Sequence, residues 1–445
     1  MNRLKNLSEG SFLKLLFAFF TGAFLIAAVC MPDRNAMFSG LWNILSQPSK
    51  ISANYFDIGG YSATFLNMGL VGLACLLLFL VFRGTPNNVS TLGFLLTLGF
   101  CSWGINILNM WPSIFGVMIY GLVKKEKQGS LVNAMLFSTG IAPLITDLLI
   151  RYPNAEVVGF NLPGLGLALA VGFVIGFFLP AGLAHSPKVH KGFDLYSAAL
   201  PIGMTAFLLK GVLFETMGVA LPSAISDMKV TSQLTANIFC GVVFGLCVVF
   251  ALILGCKPRD YWKLLRNPEL VSNFSSTYGN ATFLMNLGVF GLFILGYYNL
   301  IGAPFNGIVF GIIFCMVCTC NSGSHPLNVL PIMLGYAAAS YLCGWISPAG
   351  EEFKYVLNAQ AICVGLCYAN GLSPISQKYG WRYGFVAAIL HYLLVTSVPG
   401  MHGGYCLYNG GFTAALICIL YVPQLERFFR TKQERLEHKA AKANK

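Results

Sequence analysis

Asn106, Asn109, His325 and Asn328 are the residues of this 445-residue chain whose types and spacing could act on a small polar molecule. Carboxamides donate and accept hydrogen bonds without carrying a full charge, and an imidazole can also move a proton near neutral pH. The four lie in two polar turns, Gly104 to Asn109 before Pro112 and Asn321 to Asn328 before Pro331. Proline suits the first turn of a helix. A helix that begins at membrane depth would aim unpaired N–H groups and a positive dipole end at an anion or polar solute. The pattern predicts short helices after Pro112 and Pro331 whose N-termini meet near the membrane midplane, as interrupted helices do in transporters with inverted repeats. The alternative is a pair of ordinary surface loops, whose usual length these turns match.

Asn67 and Asn286, each two residues before a glycine, either line the same cavity or hydrogen-bond a neighbouring helix. Asn321 completes the candidate solute-binding set. Asp147 has Arg151 four residues on, a spacing that closes a helix end, and no acidic residue stands out as a coupling group at depth. Cys315, Cys318, Cys320 and His325 have the spacing of metal ligands, but in an apolar helix such cysteines serve packing. No metal or cofactor is therefore assigned. His325, His391 and His402 carry the alternative of a membrane-embedded enzyme, which requires two of them to share a cavity. A third reading is a non-transporting scaffold, with packed joints and no cavity. There is no Gly-x-Ser-x-Gly elbow, P-loop or His-Glu-x-x-His helix.

The elements that hold these residues must be membrane helices, because 56% of the chain is hydrophobic and 10% charged, against about 25% charged in globular proteins. Apolar runs punctuated by Gly, Pro and Asn predict helices at 12–31, 62–82, 88–103, 108–123, 131–150, 163–184 and 194–214. The second half gives 234–256, 281–300, 304–320, 327–345, 355–372, 380–399 and 404–423. The pairs 88–123 and 304–345 are either re-entrant hairpins or two crossings each. Most of the 14 cysteines lie inside apolar runs, so no disulfide framework is expected.

The halves repeat one another. Ala63-Thr-Phe-Leu-Asn67 with Gly69 and Gly72 answers Ala281-Thr-Phe-Leu-Met-Asn286 with Gly288 and Gly291. Gly104, Asn106, Asn109, Pro112 and Gly116 answer Gly323, His325, Asn328, Pro331 and Gly335, at a shift of 218 or 219. The copies differ where Asn106 meets His325, Trp103 meets Ser322 and Trp111 meets Leu330. A fainter echo joins His190-Lys-Gly-Phe-Asp-Leu-Tyr196 to His402-Gly-Gly-Tyr-Cys-Leu-Tyr408, and another joins Gly140-Ile-Ala-Pro143 to Gly371-Leu-Ser-Pro374, where proline kinks suffice as an explanation.

An odd number of crossings per copy inverts one against the other. The expected architecture is an all-α polytopic membrane protein of two inverted-topology repeats, about seven transmembrane or re-entrant helices each: 1–222, 223–423, and a basic tail at 424–445. The 28 Lys and Arg outnumber the 16 Asp and Glu and gather on one side: Arg83, Lys124 to Lys127, Lys188, Lys191, Lys257 to Arg266, Lys378, Arg382 and the tail. The other side holds Arg34, Lys50, Arg151, Lys229 and Lys354. That bias predicts both termini in the cytoplasm. The tail reads as a solvated end that fixes topology.

The paired Ala-Thr-Phe-Leu…Asn…Gly and Gly-x-His-Pro-Leu-Asn…Pro-Ile-Met-Leu-Gly blocks resemble an uncharacterised family of bacterial multi-spanning membrane proteins built from a repeated domain of unknown function. The resemblance implies no activity. Seven-plus-seven inverted repeats are similar in topology alone to nucleobase and sulfate permeases. The expected function is a secondary transporter or facilitator of a small polar or anionic solute in the bacterial plasma membrane. Its partners would be that solute and the lipid bilayer, with a homo-oligomer compatible and no nucleic-acid module present.

Overall fold

The computed structural model describes residues 7–48, 53–154, 156–220, 232–266, 273–348 and 353–443. The expected boundary at 222, and Arg3, Lys5, Lys50, Lys229 and Glu351, lie outside the described residues. Those described are helical with no β-strand. In the first half α1 is Glu9–Cys30, α2 Met37–Ser46, α3 Tyr55–Val81, α4 Asn88–Phe100, α5 Trp111–Lys124, α6 Gln128–Ser138, α7 Ala142–Arg151, α8 Leu162–Val189 and α9 Ala199–Lys210. In the second, α10 is Gln233–Ile253, α11 Pro258–Leu265, α12 Phe274–Tyr278, α13 Asn280–Leu300, α14 Gly307–Val317 and α15 Pro326–Ile346. Then come α16 Gln360–Ala369, α17 Ser373–Tyr379, α18 Trp381–Val395, α19 Val398–Met401, α20 Asn409–Phe428 and α21 Lys432–Ala443. Among the described residues nine helices are long and apolar enough to cross a membrane. The chain is an all-α polytopic membrane protein.

The duplicated positions do the same work in both halves. Gly60 bends α3 at φ 85°, ψ 174°, and Gly279 separates α12 from α13 at φ 84°, ψ 156°. Only glycine takes that backbone without strain. Asn87 caps α4 by accepting the Ser90 N–H at 3.1 Å, and Asn306 caps α14 by accepting those of Ile308 and Val309 at 3.0 Å.

α4 and α14, at 13 and 11 residues, are shorter than the roughly 20 a crossing needs and lie inside the protein. They cross in contact and antiparallel. Near the end of α4, the Ser102 hydroxyl donates to the Gly307 carbonyl at 2.6 Å; near its start, the Asn321 amide donates to the Thr91 hydroxyl at 3.2 Å. Between them the backbones touch: a Cβ on Gly99 would lie 2.4 Å from the Gly311 oxygen, and one on Gly311 2.2 Å from the Gly99 oxygen. Equivalent helices packed antiparallel require a two-fold axis across them, so the copies are inverted.

Each hairpin returns to its own side. Gly129, after α5, would set a Cβ 2.5 Å from the Phe82 oxygen, before α4. The Asn358 amide, after α15, donates to the Gly302 carbonyl, before α14, at 3.3 Å. Fourteen-residue α5 rises about 21 Å, whereas 21-residue α15 rises about 32 Å and can cross. Pro112 opens α5 as expected, but α15 opens at Pro326, leaving Pro331 inside that helix.

Structure also appears where none was expected. α2 and α11 occupy equivalent loops, and the tail forms α21, whose Arg435 guanidinium donates to the Tyr379 carbonyl.

Gly311→Val forces the crossing apart and should cost at least about 1–3 kcal/mol, seen as a lower thermal midpoint in detergent. Gly245→Ala, where an added Cβ meets nothing within 4 Å, should leave that midpoint unchanged or raise it.

Candidate functional site

The two breaks after α4 and α14 are built by the same side chains. The Asn67 amide donates to the Cys101 and Ile105 carbonyls at 2.8 and 2.9 Å; the Asn286 amide donates to those of Cys320 and Ser324 at 2.8 and 2.9 Å. Asn109 accepts the Asn106 N–H at 2.8 Å and donates to the Gly104 carbonyl at 2.9 Å. Asn328 accepts the His325 N–H at 3.0 Å and donates to the Gly323 carbonyl at 2.9 Å. Asn321 accepts the Ser275 N–H at 2.8 Å. These five carboxamides hold backbone, which is what a break inside a membrane protein demands. Asn106 accepts two N–H groups and keeps a buried amide nitrogen without a partner. His325 is buried beside the Phe274 ring, and neither ring nitrogen makes a hydrogen bond of normal geometry.

The breaks do not face each other, contrary to expectation. One lies at Ser102 and the other beside Thr91, so they occupy opposite ends of the α4–α14 pair, about 17 Å apart by helical rise. Antiparallel packing of equivalent half-helices enforces that separation. The histidines also go separate ways. His391 bonds the Tyr336 hydroxyl at 2.6 Å and the Gly410 carbonyl at 2.9 Å, and His402 packs against Phe412. Among the described residues no group of three or more His, Cys, Asp or Glu is placed to hold a metal.

A second pair of breaks interlocks the copies. Helix α6–α7 is interrupted at Thr139–Ile141 and α16–α17 at Asn370–Leu372. Each notch receives the connection that the sequence echo marks in the other half. The Leu407 N–H donates to the Gly140 carbonyl at 2.9 Å, and the Leu195 N–H to the Gly371 carbonyl at 3.1 Å. A Cβ on Gly140 would lie 2.1 Å from the Tyr408 ring, and one on Gly371 2.6 Å from the Tyr196 ring. Close approach of a tyrosine, beyond the proline kink, accounts for these glycines.

Beside one notch lies a cavity of about 440 Å³, within the range of small-molecule sites. Asn88, Asn133, His190, Asp194, Ser197 and Ser322 supply its polar lining. Ser130 of its wall follows Lys127, and Gly192 follows Lys191, so it lies toward the basic face. Asp194 is 2% exposed; one carboxylate oxygen accepts the Tyr196 N–H at 2.9 Å and the other has no partner. His190 accepts the Asp194 N–H on Nδ1 at 3.3 Å and meets the Ser197 hydroxyl through Nε2 at 2.8 Å. That pattern sets a neutral ring with its proton on Nε2. Asp194 is a buried acidic residue, in the connection between two spans, that the sequence pattern concealed. It stands two residues before Tyr196 in the echo, opposite Cys406, and flanking Lys188 and Lys191 disguise it as surface.

The equivalent place on the opposite face is filled. Trp103 stands there for Ser322, buried, its ring 5.4 Å from that of Phe100. Nearby, Asp147 and Arg151 form a buried ion pair at 2.6 Å, and the Tyr405 hydroxyl from the other copy donates to Asp147 at 2.9 Å.

Comparison with known families adds one decisive match: a model described as protein of unknown function (DUF1576) covers residues 33–215 and 257–427. The chain belongs to that family. The two matched segments follow the two inverted copies, so the family's domain is duplicated here. No curated protein and no solved structure is detectably similar to the chain.

Asn286→Ala leaves two buried carbonyls unpartnered, at about 1–3 kcal/mol each. Thermal unfolding in detergent should show a lower midpoint than wild type; an unchanged midpoint contradicts the clamp.

Proposed function

We propose that this member of the family is a secondary transporter or facilitator of a small polar solute, with its cavity and both termini on the cytoplasmic side of a bacterial plasma membrane. The observation that carries this is a mostly apolar cavity with a few converging polar groups, set toward the basic side beside interrupted helices of two inverted copies. In proteins of that design, solute enters at the junction of the repeats and the copies exchange shape to expose it on the other face. The basic residues around the mouth support the cytoplasmic assignment. Trp103 and the Asp147–Arg151–Tyr405 cluster would act as the closed side in the present conformation. Asn133 and Ser197 offer hydrogen bonds, while the Asp194 carboxylate disfavours an anion there, so a neutral polar solute fits better than an anionic one. Asn106, with an unpartnered buried amide nitrogen, and His325, buried beside Phe274, are proposed to meet the solute later along its path, one at each break. The five remaining asparagines would keep that path in shape. For the enzymatic alternative, His325, His391 and His402 pack against different partners among the described residues, and a scaffold has no use for the cavity beside Ser322.

Ser322→Trp copies the opposite side's plug into the open one. In proteoliposomes offered a mixed metabolite pool, wild type should accumulate a solute and Ser322→Trp should lose at least about nine-tenths of that uptake while keeping its thermal midpoint. Uptake undiminished by the plug would overturn the proposal.

A further inference from the structure

Two carboxylates are buried among the described residues, and they are treated oppositely. Asp147 has Arg151 at 2.6 Å and the Tyr405 hydroxyl at 2.9 Å. Asp194 has neither a cation nor a hydroxyl: one oxygen takes the Tyr196 N–H, the other is buried without a partner, and the residue is part of the cavity wall. A buried charge without compensation is costly, and the simplest relief is a proton. Lone-oxygen geometry suits a proton better than a metal ion, which asks for several ligands.

The surroundings offer no other relief. On the same connection, His190 is held neutral by its two hydrogen bonds, and Lys191 pairs with Glu426. From α17, Lys378 lies 5.1 Å over the Phe193 ring. From α20, the Cys418 thiol lies within electrostatic reach. Across the cavity, α4 and α6 present Asn88 and Asn133, and the second break presents Ser322, all uncharged. Asp194 lies in the connection between two spans. There burial, against the weaker opposing pull of the Tyr196 N–H, pushes its carboxyl up to about 7, while burial pushes His190 down to about 4. Asp194 is thus neutral below that point and charged above it, while His190 stays neutral throughout.

We propose that Asp194 is a proton-binding site that couples transport to the proton gradient. A proton carried by cavity water transfers to the free carboxylate oxygen, leaving the water, or the buffer base behind it, one proton poorer and the carboxyl neutral. The reverse transfer restores the anion. No electrons move and no covalent bond to solute forms. His190, with its Nε2 proton given to Ser197, positions the connection and does not compete. The coupling part of this inference rests on the transporter proposal above; the proton site itself does not.

Two measurements separate them. Infrared difference titration of the purified full-length protein in detergent reads the carbonyl stretch of a protonated carboxyl without any solute. Wild type and Asp194→Glu should gain that band as the pH falls through about 7, and Asp194→Asn should lack it. In proteoliposomes loaded with a pH-indicator dye and offered the same metabolite pool, an imposed pH gradient should stimulate wild-type uptake, with dye acidification, and neither should occur with Asp194→Asn. A band without uptake would uphold the proton site and remove the transporter. A missing wild-type band would overturn the proton site, and gradient-driven uptake unchanged in Asp194→Asn would overturn its coupling role.

Discussion

Everything in this molecule hangs on two short helices lying against each other in opposite directions at glycine contact. α4 and α14 are too short to cross a membrane and too buried to sit at its surface, so each must end inside the protein. An end inside the protein leaves backbone groups without partners, and at depth no water replaces them. The asparagines repeated in both copies answer that need from α3, α13 and the breaks themselves. With Gly99 and Gly311 pressed backbone to backbone, the ends cannot slide together, and the two breaks are held toward opposite faces.

Symmetry of backbone with asymmetry of side chain then produces a direction. The notches in α6–α7 and α16–α17 accept matching loops from the opposite copy, so the frame is alike on both sides. Ser322 and Asp194 leave space on one side where Trp103 and Cys406 stand on the other. An ion pair with a tyrosine bound to it strengthens the filled side. Differences at these positions open the space beside Ser322 on the basic side and fill its counterpart beside Trp103.

The duplication and the inversion were legible because Asn, Pro and Gly recur at one spacing in a chain where such residues are costly. Helix positions were legible for the same reason, since apolar runs between such residues leave few choices. What each asparagine does was not: a carboxamide bound to a carbonyl of its own copy and one turned toward a solute look identical in sequence. The partners in three dimensions were hidden too. Convergence of the joints followed from assuming that like meets like, whereas inversion sets Ser102 against Gly307 and Asn321 against Thr91. Asp194 escaped because lysines three and six residues before it suggest an exposed loop, and only the seating of Leu195 on Gly371 draws it inward. α2 and α11 escaped because, at ten and eight residues, they fall well short of a membrane span and read as connections.

Disulfide trapping in native membranes, with the native cysteines replaced, tests the antiparallel crossing most directly. Cysteines at Thr91 with Asn321, and at Ser102 with Gly307, should cross-link, while Thr91 with Gly307 and Ser102 with Asn321 should not. Cross-links confined to the latter two pairs would mean that α4 and α14 run parallel, and the inverted architecture and its one-sided cavity would fall with them.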